Sequence, residues 1–407
     1  MNNRRKIIND PVFGFINIPS DLIYDIIKHP YLQRLNRIRQ LGLASLVYPG
    51  AQHTRFHHSV GAMHLMSEAI AQLRMKENEI TPEEAEGVLA AILLHDIGHG
   101  PFSHVLEHTL IQDMHHERIS LMMMEEMNRK FNGKLDIALK IFRDEYPKHF
   151  LHQLVSGQLD MDRLDYLRRD SFFTGVVEGN IGSARIIKML NIKDDRLVVE
   201  SKGIYSIENF LMARRLMYWQ VYLHKTAIAA EKMLINILIR AKELARQGVS
   251  LFATPALHFF LYNNITDNNF DRDALIQFIQ LDDNDIWSSL KVWANHSDFV
   301  LSMLSQCLVD RNLFKIKITS APISQQEIDQ MITSFARQFD ISREEASLFV
   351  ISDSISTNMY TEADDSIDII YSSGETKDIS EASDMLNISL LSKNVKKYYC
   401  CFLRYSK

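Results

Sequence analysis

The sequence has few cysteines and no long apolar run. Its three cysteines are Cys307, Cys400 and Cys401. This odd number, without the spacing of a metal finger, argues against a disulfide framework and against a cysteine-based zinc site. No stretch of about 18 apolar residues occurs, and no apolar segment follows the basic residues near the start, so neither a membrane span nor a secretory signal is indicated. The sequence therefore predicts a cytoplasmic protein with no membrane anchor.

An excess of basic residues is also absent. The chain has 45 Lys and Arg residues against 51 Asp and Glu residues, which gives a net charge of −6. This balance argues against a protein built to coat nucleic acid. Hydrophobic residues make up 46% of the 407 residues and charged residues 24%, a composition typical of a folded globular protein rather than a disordered one.

Apolar residues recur every three or four positions along most of the chain, which predicts a mainly α fold. The clearest helix start is the segment Thr81-Pro82-Glu83-Glu84, which has the residue types of a capping box with proline at the first helical position. Glycine and proline at positions 98–101 end the helix that follows. Further helices are predicted over residues 20–41 with a break at Pro30, and over residues 54–74, 115–128, 134–143, 152–169, 181–190 and 207–247.

The residue pattern predicts strands in two regions. Residues 196–205 have the pattern of a small hairpin that turns at Ser201 and Lys202. Beyond about residue 312, β-branched runs alternate with helical stretches in the order β-α-β-β-α-β, which is the order of a ferredoxin-like unit. We therefore expect a helical core over residues 1–310 and an α+β C-terminal lobe over residues 311–407.

Histidine is unusually concentrated, because ten of the 16 histidines lie between His53 and His116. The central segment, residues 93–104, reads LLHDIGHGPFSH. Its adjacent His95 and Asp96 can reach one divalent ion if they lie at the end of a helix where the chain turns. An isolated pair of this kind would more often only cap a helix.

The His95-Asp96 pair is not isolated in the sequence. His57 and His58 precede it, and three aspartates follow it at positions 160, 162 and 165. Neighbouring side chains on a helix diverge, so one histidine and one aspartate from these groups are sufficient for a site. Spacing alone does not select which ones. The motif region spans about residues 50–170.

The ordered motifs of the sequence resemble those of the deoxynucleoside triphosphate (dNTP) triphosphohydrolases, a family of metal-dependent HD-domain phosphohydrolases. The resemblance covers roughly residues 4–230 and implies an all-helical HD-domain core. The matching segments are, in chain order, KIINDP (6–11), QRL (33–35), RQLG (39–42), YPGA (48–51), RFHHS (55–59), HDIGHGPFSH (95–104), HE (116–117), DRLDY (162–166) and YLHK (222–225).

The resemblance implies a single divalent metal ion held by His58, His95, Asp96 and Asp162. Two imidazoles and two carboxylates leave coordination positions open for water and a phosphate oxygen. Such mixed ligation suits Fe, Mn, Ni, Zn or Mg, so the ligand set does not identify the ion.

The resemblance also implies the catalytic residues. His116, paired in sequence with Glu117, matches the histidine that transfers a proton, although the neighbouring His115 is an alternative. His99 and His104 would bind or protonate phosphate oxygens and the leaving group.

The substrate-binding residues come from the same resemblance. Arginine suits the triphosphate because its guanidinium is planar and permanently charged. Tyr166 would pack on the sugar, Gln40 and Asp170 would contact the 3′-hydroxyl, and Leu41 would exclude a 2′-hydroxyl by steric repulsion. The full set is Gln40, Leu41, Arg55, Arg163, Tyr166, Asp170, Arg214, Tyr218 and Tyr222.

A second nucleotide site between subunits is implied in part. Lys6, Asn9 and Gln33 match the family, but Lys28 stands where an activator site has an acid, and Asn36 replaces an arginine. Lysine has donors only and cannot accept a hydrogen bond from a guanine edge. Either a nucleotide binds there without preference for guanine, or regulation is absent. The resemblance implies a homo-oligomer, either a dimer or a tetramer.

The leading hypothesis is a dNTP triphosphohydrolase that releases deoxynucleoside and inorganic triphosphate. One alternative is another HD-type nucleotidase or phosphodiesterase, although the branch with the motif HD-x-x-E-D is disfavoured by HDIGHG at residues 95–100. The other alternative is a non-catalytic nucleotide-binding regulator. The sequence does not indicate which base is preferred.

Overall fold

The computed structural model describes residues 6–102, 105–112, 114–357, 366–384 and 395–404. The fold is mainly α with small sheets, which confirms the predicted fold class. The helices are α1 (Asp21–Lys28), α2 (Pro30–Gln33), α3 (Arg55–Met75), α4 (Pro82–Leu94), α5 (Val105–Thr109), α6 (His116–Lys130), α7 (Asp136–Phe142), α8 (His149–Val155), α9 (Met161–Thr174), α10 (Ser183–Met189), α11 (Ile204–Met217), α12 (Lys225–Arg246), α13 (Pro255–Tyr262), α14 (Arg272–Phe278), α15 (Asp283–Trp293), α16 (Phe299–Val309), α17 (Gln325–Phe339), α18 (Arg343–Ser347) and α19 (Ile379–Ala382).

The strands are short and form several small sheets. They are β1 (Ile7–Asp10), β2 (Gly14–Asn17), β3 (Ile111–Gln112), β4 (Leu190–Lys193), β5 (Arg196–Glu200), β6 (Ile265–Thr266), β7 (Lys315–Thr319), β8 (Val350–Thr357), β9 (Asp368–Ile370), β10 (Thr376–Asp378) and β11 (Val395–Phe402). Turns of 3-10 helix lie at Arg34–Arg37, Gly42–Leu46, Val177–Gly179, Ser201–Gly203 and Asp267–Asn269.

Helices α3, α4 and α9 form the centre of the fold, where α3 packs against both of the others. Most residues of α4 are buried, as expected for a helix that is apolar on nearly all sides. The predicted capping box starts this helix, because Thr81 Oγ1 accepts from the Glu84 N–H at 3.2 Å and Glu84 Oε2 accepts from the Thr81 N–H at 2.8 Å. The helix ends at Leu94, so His95 and Asp96 lie in the turn that follows.

Two predicted long helices are each interrupted. Residues 152–169 divide between α8 and α9, because the Asp160 side chain accepts from the Arg163 N–H and caps a new helix. Residues 207–247 divide at a π-helical turn, Tyr218–Tyr222, after which His224 caps α12. Apolar periodicity continues across such breaks, so it did not reveal them.

The small hairpin is present, but its predicted turn is wrong. Strands β4 and β5 pair antiparallel, and the chain turns at Asp194 and Asp195, which both have positive φ angles. The predicted turn residues Ser201 and Lys202 instead begin a 3-10 turn after β5. Aspartate tolerates the left-handed conformation better than most residues, which makes this pair suitable for a tight turn.

The predicted ferredoxin-like topology is also wrong. Among the described strands of the C-terminal lobe, β7, β11 and β8 form one sheet with β11 in the middle. Strands β9 and β10 leave that sheet and join the hairpin in the order β10-β9-β5-β4, with β9 parallel to β5. Ile369 of β9 is fully buried beside Val199 of β5, so burial of apolar side chains favours this pairing.

In the described part of the chain, no helix is both long enough and apolar enough to cross a membrane.

Candidate metal centre and active site

Side chains from three helical segments converge on one point. His58 lies in α3, His95 follows α4, and Asp162 lies in the first turn of α9. The His58 Nε2 atom is 3.4 Å from His95 Nε2 and 3.1 Å from Asp162 Oδ1, and His95 Nε2 is 3.5 Å from the same oxygen. Asp96 Oδ2 lies 3.8 Å from His58 Nε2. The ligand atoms of His58, His95 and Asp162 all lie within 4.8 Å of one another, which is close enough to share one small cation, and Asp96 lies beside them. These four residues form the candidate metal cluster.

Hydrogen bonds fix the tautomers of both histidines. His95 Nδ1 lies 2.6 Å from the Ile92 carbonyl oxygen, which can only accept, so His95 Nδ1 donates. His58 Nδ1 donates to Asp165 Oδ2 at 2.8 Å. The Nε2 atoms of both rings therefore face each other and the two carboxylates, and these are the nitrogens that a bound cation would use. This arrangement of donor atoms fits a divalent cation with mixed nitrogen and oxygen ligands.

The electrostatics of the cluster favour positive charge. Burial opposes protonation of His58, but hydrogen bonds to Asp162 and Asp165 raise its pKa to about 10. Burial also opposes ionisation of Asp162, whose pKa is nevertheless well below its ordinary value because His58 and His95 lie beside it. The negative charges of the nearby carboxylates thus balance the positive charge of a cation at this point.

Helix α6 forms hydrogen bonds with the turn that follows α4. The Ser120 hydroxyl donates to the His95 carbonyl at 2.8 Å and accepts from the Gly98 N–H at 2.9 Å. A Cβ atom at position 98 would lie 2.2 Å from the His116 carbonyl oxygen. Only glycine allows this close approach, so Gly98 brings the turn and the start of α6 together.

The three aspartates of the α9 segment have different surroundings. Asp162 points at His58 and His95, whereas Asp160 accepts from the backbone N–H groups of Gly157 and Arg163. Asp165 accepts from His58 and from the buried Arg169 guanidinium at 2.9 Å. Asp160 therefore caps the helix, and Asp165 orients the His58 ring.

Asp96 connects the metal cluster to three further residues. Its Oδ2 atom accepts from Arg55 Nη1 at 2.6 Å, and its Oδ1 atom lies 3.3 Å from His99 Nε2. The rings of His99 and His116 stack with centroids 3.8 Å apart. Burial and the nearby Arg55 lower the pKa of His99 to about 3, so its imidazole is neutral at neutral pH.

A cavity of about 710 Å³ opens directly beside these residues. Its volume lies within the range of small-molecule sites. It brings together twelve of the residues predicted from the sequence. They are Gln40, Leu41, Arg55, Asp96, His99, His116, Asp162, Arg163, Tyr166, Asp170, Tyr218 and Tyr222.

Several predicted residues lie elsewhere. His58 and His95 lie behind Asp96 and Asp162 rather than in the cavity wall. Arg214 donates to Gln158 Oε1 at 2.9 Å and does not line the cavity, and Glu117 does not line it either. His104 lies outside the described residues.

Asp170, which lines the cavity, lies at the centre of a chain of hydrogen bonds. Its two carboxylate oxygens contact His53 Nε2 at 2.7 Å and the Tyr222 hydroxyl at 2.8 Å. The Tyr222 ring packs edge-on against Tyr166 and Tyr218. The orientation of Asp170 is thereby fixed from both sides.

The sequence did not indicate the roles of four residues in this region, although Asp165 was among the three candidate metal-binding aspartates. Asp165 and Arg169 orient His58, and His53 orients Asp170, but each of these side chains acts through a contact between distant segments. Glu231, in α12, lines the cavity and belongs to no motif. No local signal in the sequence separates such residues from ordinary surface or core positions.

Lys6, one of the residues predicted for a second nucleotide site, lies beside Tyr24. The Lys6 Nζ atom lies 2.9 Å from the centroid of the Tyr24 ring, and Lys28 Nζ lies 5.2 Å from it. Gln33 donates to the Ile27 carbonyl and accepts from Asn36, while Asn9 is exposed in β1.

Comparison with known proteins identifies two matching regions. The HD domain model matches residues 55–170, which contain the metal cluster, and the HD associated region matches residues 181–251. The curated relatives include YwfO, an uncharacterized protein of Bacillus subtilis, which is 34% identical over 321 residues, covering 77% of this chain and 72% of the relative.

The human deoxynucleoside triphosphate triphosphohydrolase SAMHD1 is also similar, with 27% identity over 314 residues. That match covers 65% of this chain and 50% of the human protein, so the chain spans half of the relative's length. Among solved structures, a phosphohydrolase from Bacteroides thetaiotaomicron has 68% identity and a TM-score of 0.96, covering 98% of this chain and all of that chain. The chain therefore belongs to the HD-domain phosphohydrolase family.

Proposed function

We propose that this protein hydrolyses dNTPs to deoxynucleosides and inorganic triphosphate. The observation that carries the proposal is the single cavity that joins Asp96 and Asp162 to Arg55, Tyr166 and Leu41. Candidate residues for the metal, the phosphates and the sugar thus share one space of about 710 Å³. The similarity to the human and Dictyostelium discoideum proteins that carry the dNTP triphosphohydrolase name supports the same substrate class.

His58, His95, Asp96 and Asp162 would hold the divalent ion. Such an ion supplies Lewis acidity toward a phosphate oxygen and acidifies a water molecule. Arg55 and Arg163 provide positive charge beside the cavity for the triphosphate.

In the proposed reaction, the oxygen of a water molecule bonds to the α-phosphorus as the bond to the 5′ oxygen breaks. The 5′ oxygen takes up a proton, and the water oxygen leaves with the triphosphate. His116 is suited to the proton transfer because it lines the cavity and its ring stacks on His99. Glu117, which follows it on α6, and His104 remain proposed members of the catalytic set.

For the sugar, Tyr166 would pack against one face, and Gln40 and Asp170 would bind the 3′-hydroxyl. Asp170 is well suited to this, since His53 and Tyr222 already hold its carboxylate in place. Tyr218 and Tyr222 complete the aromatic wall.

A second candidate is an HD-type nucleotidase that removes fewer phosphates. The position of Arg214 favours the nucleotidase, because its guanidinium donates to Gln158 and does not line the cavity. A triphosphate clamp of three arginines would require Arg214 to change its partner.

We also propose a homo-oligomer with a nucleotide bound near Lys6, Asn9 and Gln33. The support is the position of Lys6 and Lys28 against Tyr24, which concentrates positive charge on one surface. Light scattering with and without added nucleotides tests this proposal, and an unchanged monomer under all conditions would contradict it.

The identity of the first phosphorus-containing product tests the proposed reaction. We expect phosphorus NMR to show inorganic triphosphate as the initial product from a mixed dNTP pool, and water labelled with ¹⁸O to place its label in that triphosphate. A panel of added nucleotides and metals ensures that a missing activator is not mistaken for inactivity. Pyrophosphate or orthophosphate as the initial product would instead support the nucleotidase.

A further inference from the structure

Glu231 is a carboxylate in the cavity wall that the proposed reaction does not use. It lies on α12, one helical turn after Ala227, and both residues line the cavity. Residues four positions apart share one face of a helix. This face of α12 therefore contributes one apolar and one acidic side chain to the cavity.

The wall around Glu231 is distinct from the metal cluster. Helix α12 packs on the 3-10 turn Gly42–Leu46 and on α5, whereas the ligand-bearing helices α3 and α9 pack on each other. The remaining cavity-lining residues of the α12 segment and the 3-10 turn are mostly apolar. They include Leu43, Ala44, Val221 and Leu223.

Charged residues line two separate parts of the cavity. Asp96, Asp162, Arg55 and Arg163 lie together at the metal cluster, whereas Glu231 lies on α12 among apolar residues. In the proposed function the triphosphate lies at the metal cluster, because a bound divalent ion would balance the charges of Asp96 and Asp162 and leave the two arginines to attract the phosphates. If the proposed function holds, the nucleobase then extends toward Glu231, with Leu41 and the turn after it beside the sugar and base.

We propose that Glu231 reads the nucleobase and selects guanine. An ionised carboxylate only accepts hydrogen bonds. Guanine presents two adjacent donors, N1–H and the N2 amino group, which match the two carboxylate oxygens. Adenine and cytosine place an acceptor beside their amino group, and thymine flanks its N3–H with two carbonyl oxygens. The expected order of catalytic efficiency is dGTP, then dATP and dCTP, then dTTP.

The variant Glu231→Gln tests the assignment because it keeps the size of the side chain and removes its charge and one acceptor oxygen. We expect the ratio of kcat/KM for dGTP to that for dTTP to fall about tenfold, with inorganic triphosphate as the measured product. Glu243→Gln is the matched control, since Glu243 is on the same helix and pairs with Arg240 at 3.3 Å. This control should leave the ratio unchanged.

A binding measurement separates this proposal from the proposed function. Deoxyguanosine should bind the unmodified protein more tightly than thymidine, and Glu231→Gln should remove most of the difference, as measured by calorimetry. If no dNTP yields triphosphate, the proposed function fails, yet this binding result still decides the role of Glu231. An unchanged dGTP to dTTP ratio in a folded Glu231→Gln variant, or a preference of the unmodified protein for dTTP, would overturn the proposal.

Discussion

Three aspartates at the start of α9 have different tasks, some in stabilising the helix and some at the candidate metal cluster. Asp160 caps the helix, Asp162 faces the metal cluster, and Asp165 holds the His58 ring. The three carboxylates are within six positions of one another in the sequence, so their separate tasks follow from the direction in which each side chain points.

Replacing Asp162 should remove the metal without unfolding the protein. In Asp162→Asn the cluster loses a charged ligand, so we expect metal content and turnover to fall to near zero while helical circular dichroism is retained. Elemental analysis of the purified variant measures the loss. Asp25→Asn, at an exposed position of α1, is the control. Full metal content in Asp162→Asn would mean that another aspartate is the ligand.

Leu41 is the residue proposed to exclude ribonucleotides. A 2′-hydroxyl forced against it would clash and lose its hydrogen bonds, so the unmodified protein should favour dNTPs over NTPs by at least about tenfold in kcat/KM. Leu41→Ala should reduce this ratio chiefly by admitting the ribonucleotide. Leu46→Ala provides a control from the neighbouring 3-10 turn, outside the cavity wall. Equal turnover of GTP and dGTP by the unmodified protein would contradict the prediction.

At the scale of elements, α4 depends on the hydrogen bonds at its first turn. Glu84 accepts from the Thr81 N–H, from Lys148 Nζ at 2.8 Å and from the Tyr146 hydroxyl at 3.0 Å. Burial opposes its ionisation, but Lys148 and these hydrogen bonds hold its pKa below the ordinary value of 4.5. Its carboxylate therefore stabilises the fold above about pH 4.5, and this contribution disappears as the pH falls through the lower folded-state pKa.

Glu84→Gln should lower the free energy of unfolding by about 1–3 kcal/mol at pH 7, because the ion pair with Lys148 is lost. Urea unfolding at a series of pH values measures the effect. The difference from the unmodified protein should shrink as the pH falls below 4.5. Glu83→Gln alters an exposed residue of the same turn and should change little. A difference that stays constant with pH would exclude the ionised carboxylate as the cause.

At the scale of the whole molecule, the sheet β10-β9-β5-β4 joins the C-terminal part to the helical core. The domain division at residue 310 remains a prediction, and this shared sheet makes it testable. Because Ile369 is fully buried in β9, Ile369→Ala should cost about 2–5 kcal/mol. The partly exposed Ile318 of β7 is the control.

Calorimetry distinguishes a joined structure from two separate units. If the sheet couples both parts, Ile369→Ala should shift a single unfolding transition that includes the helical core. A new transition at lower temperature, with the main one unchanged, would instead show that the C-terminal lobe unfolds independently.

The sequence by itself determined the mainly α fold, the capping box at Thr81 and the family resemblance. These features depend on local periodicity, cap chemistry and an ordered set of motifs, which a single chain displays directly. Likewise, the HDIGHG turn could be recognised because glycine and proline mark the end of α4.

Only the tertiary structure decided which side chains meet. Spacing alone did not decide between His57 and His58, or among the three aspartates. The packing of α3 against α9 decides it, because it brings His58 to Asp162. The pairing of β9 with β5 and the position of Glu231 in the cavity wall depend likewise on contacts between distant segments. Such contacts leave no local pattern, because they are selected by burial and packing of the whole chain.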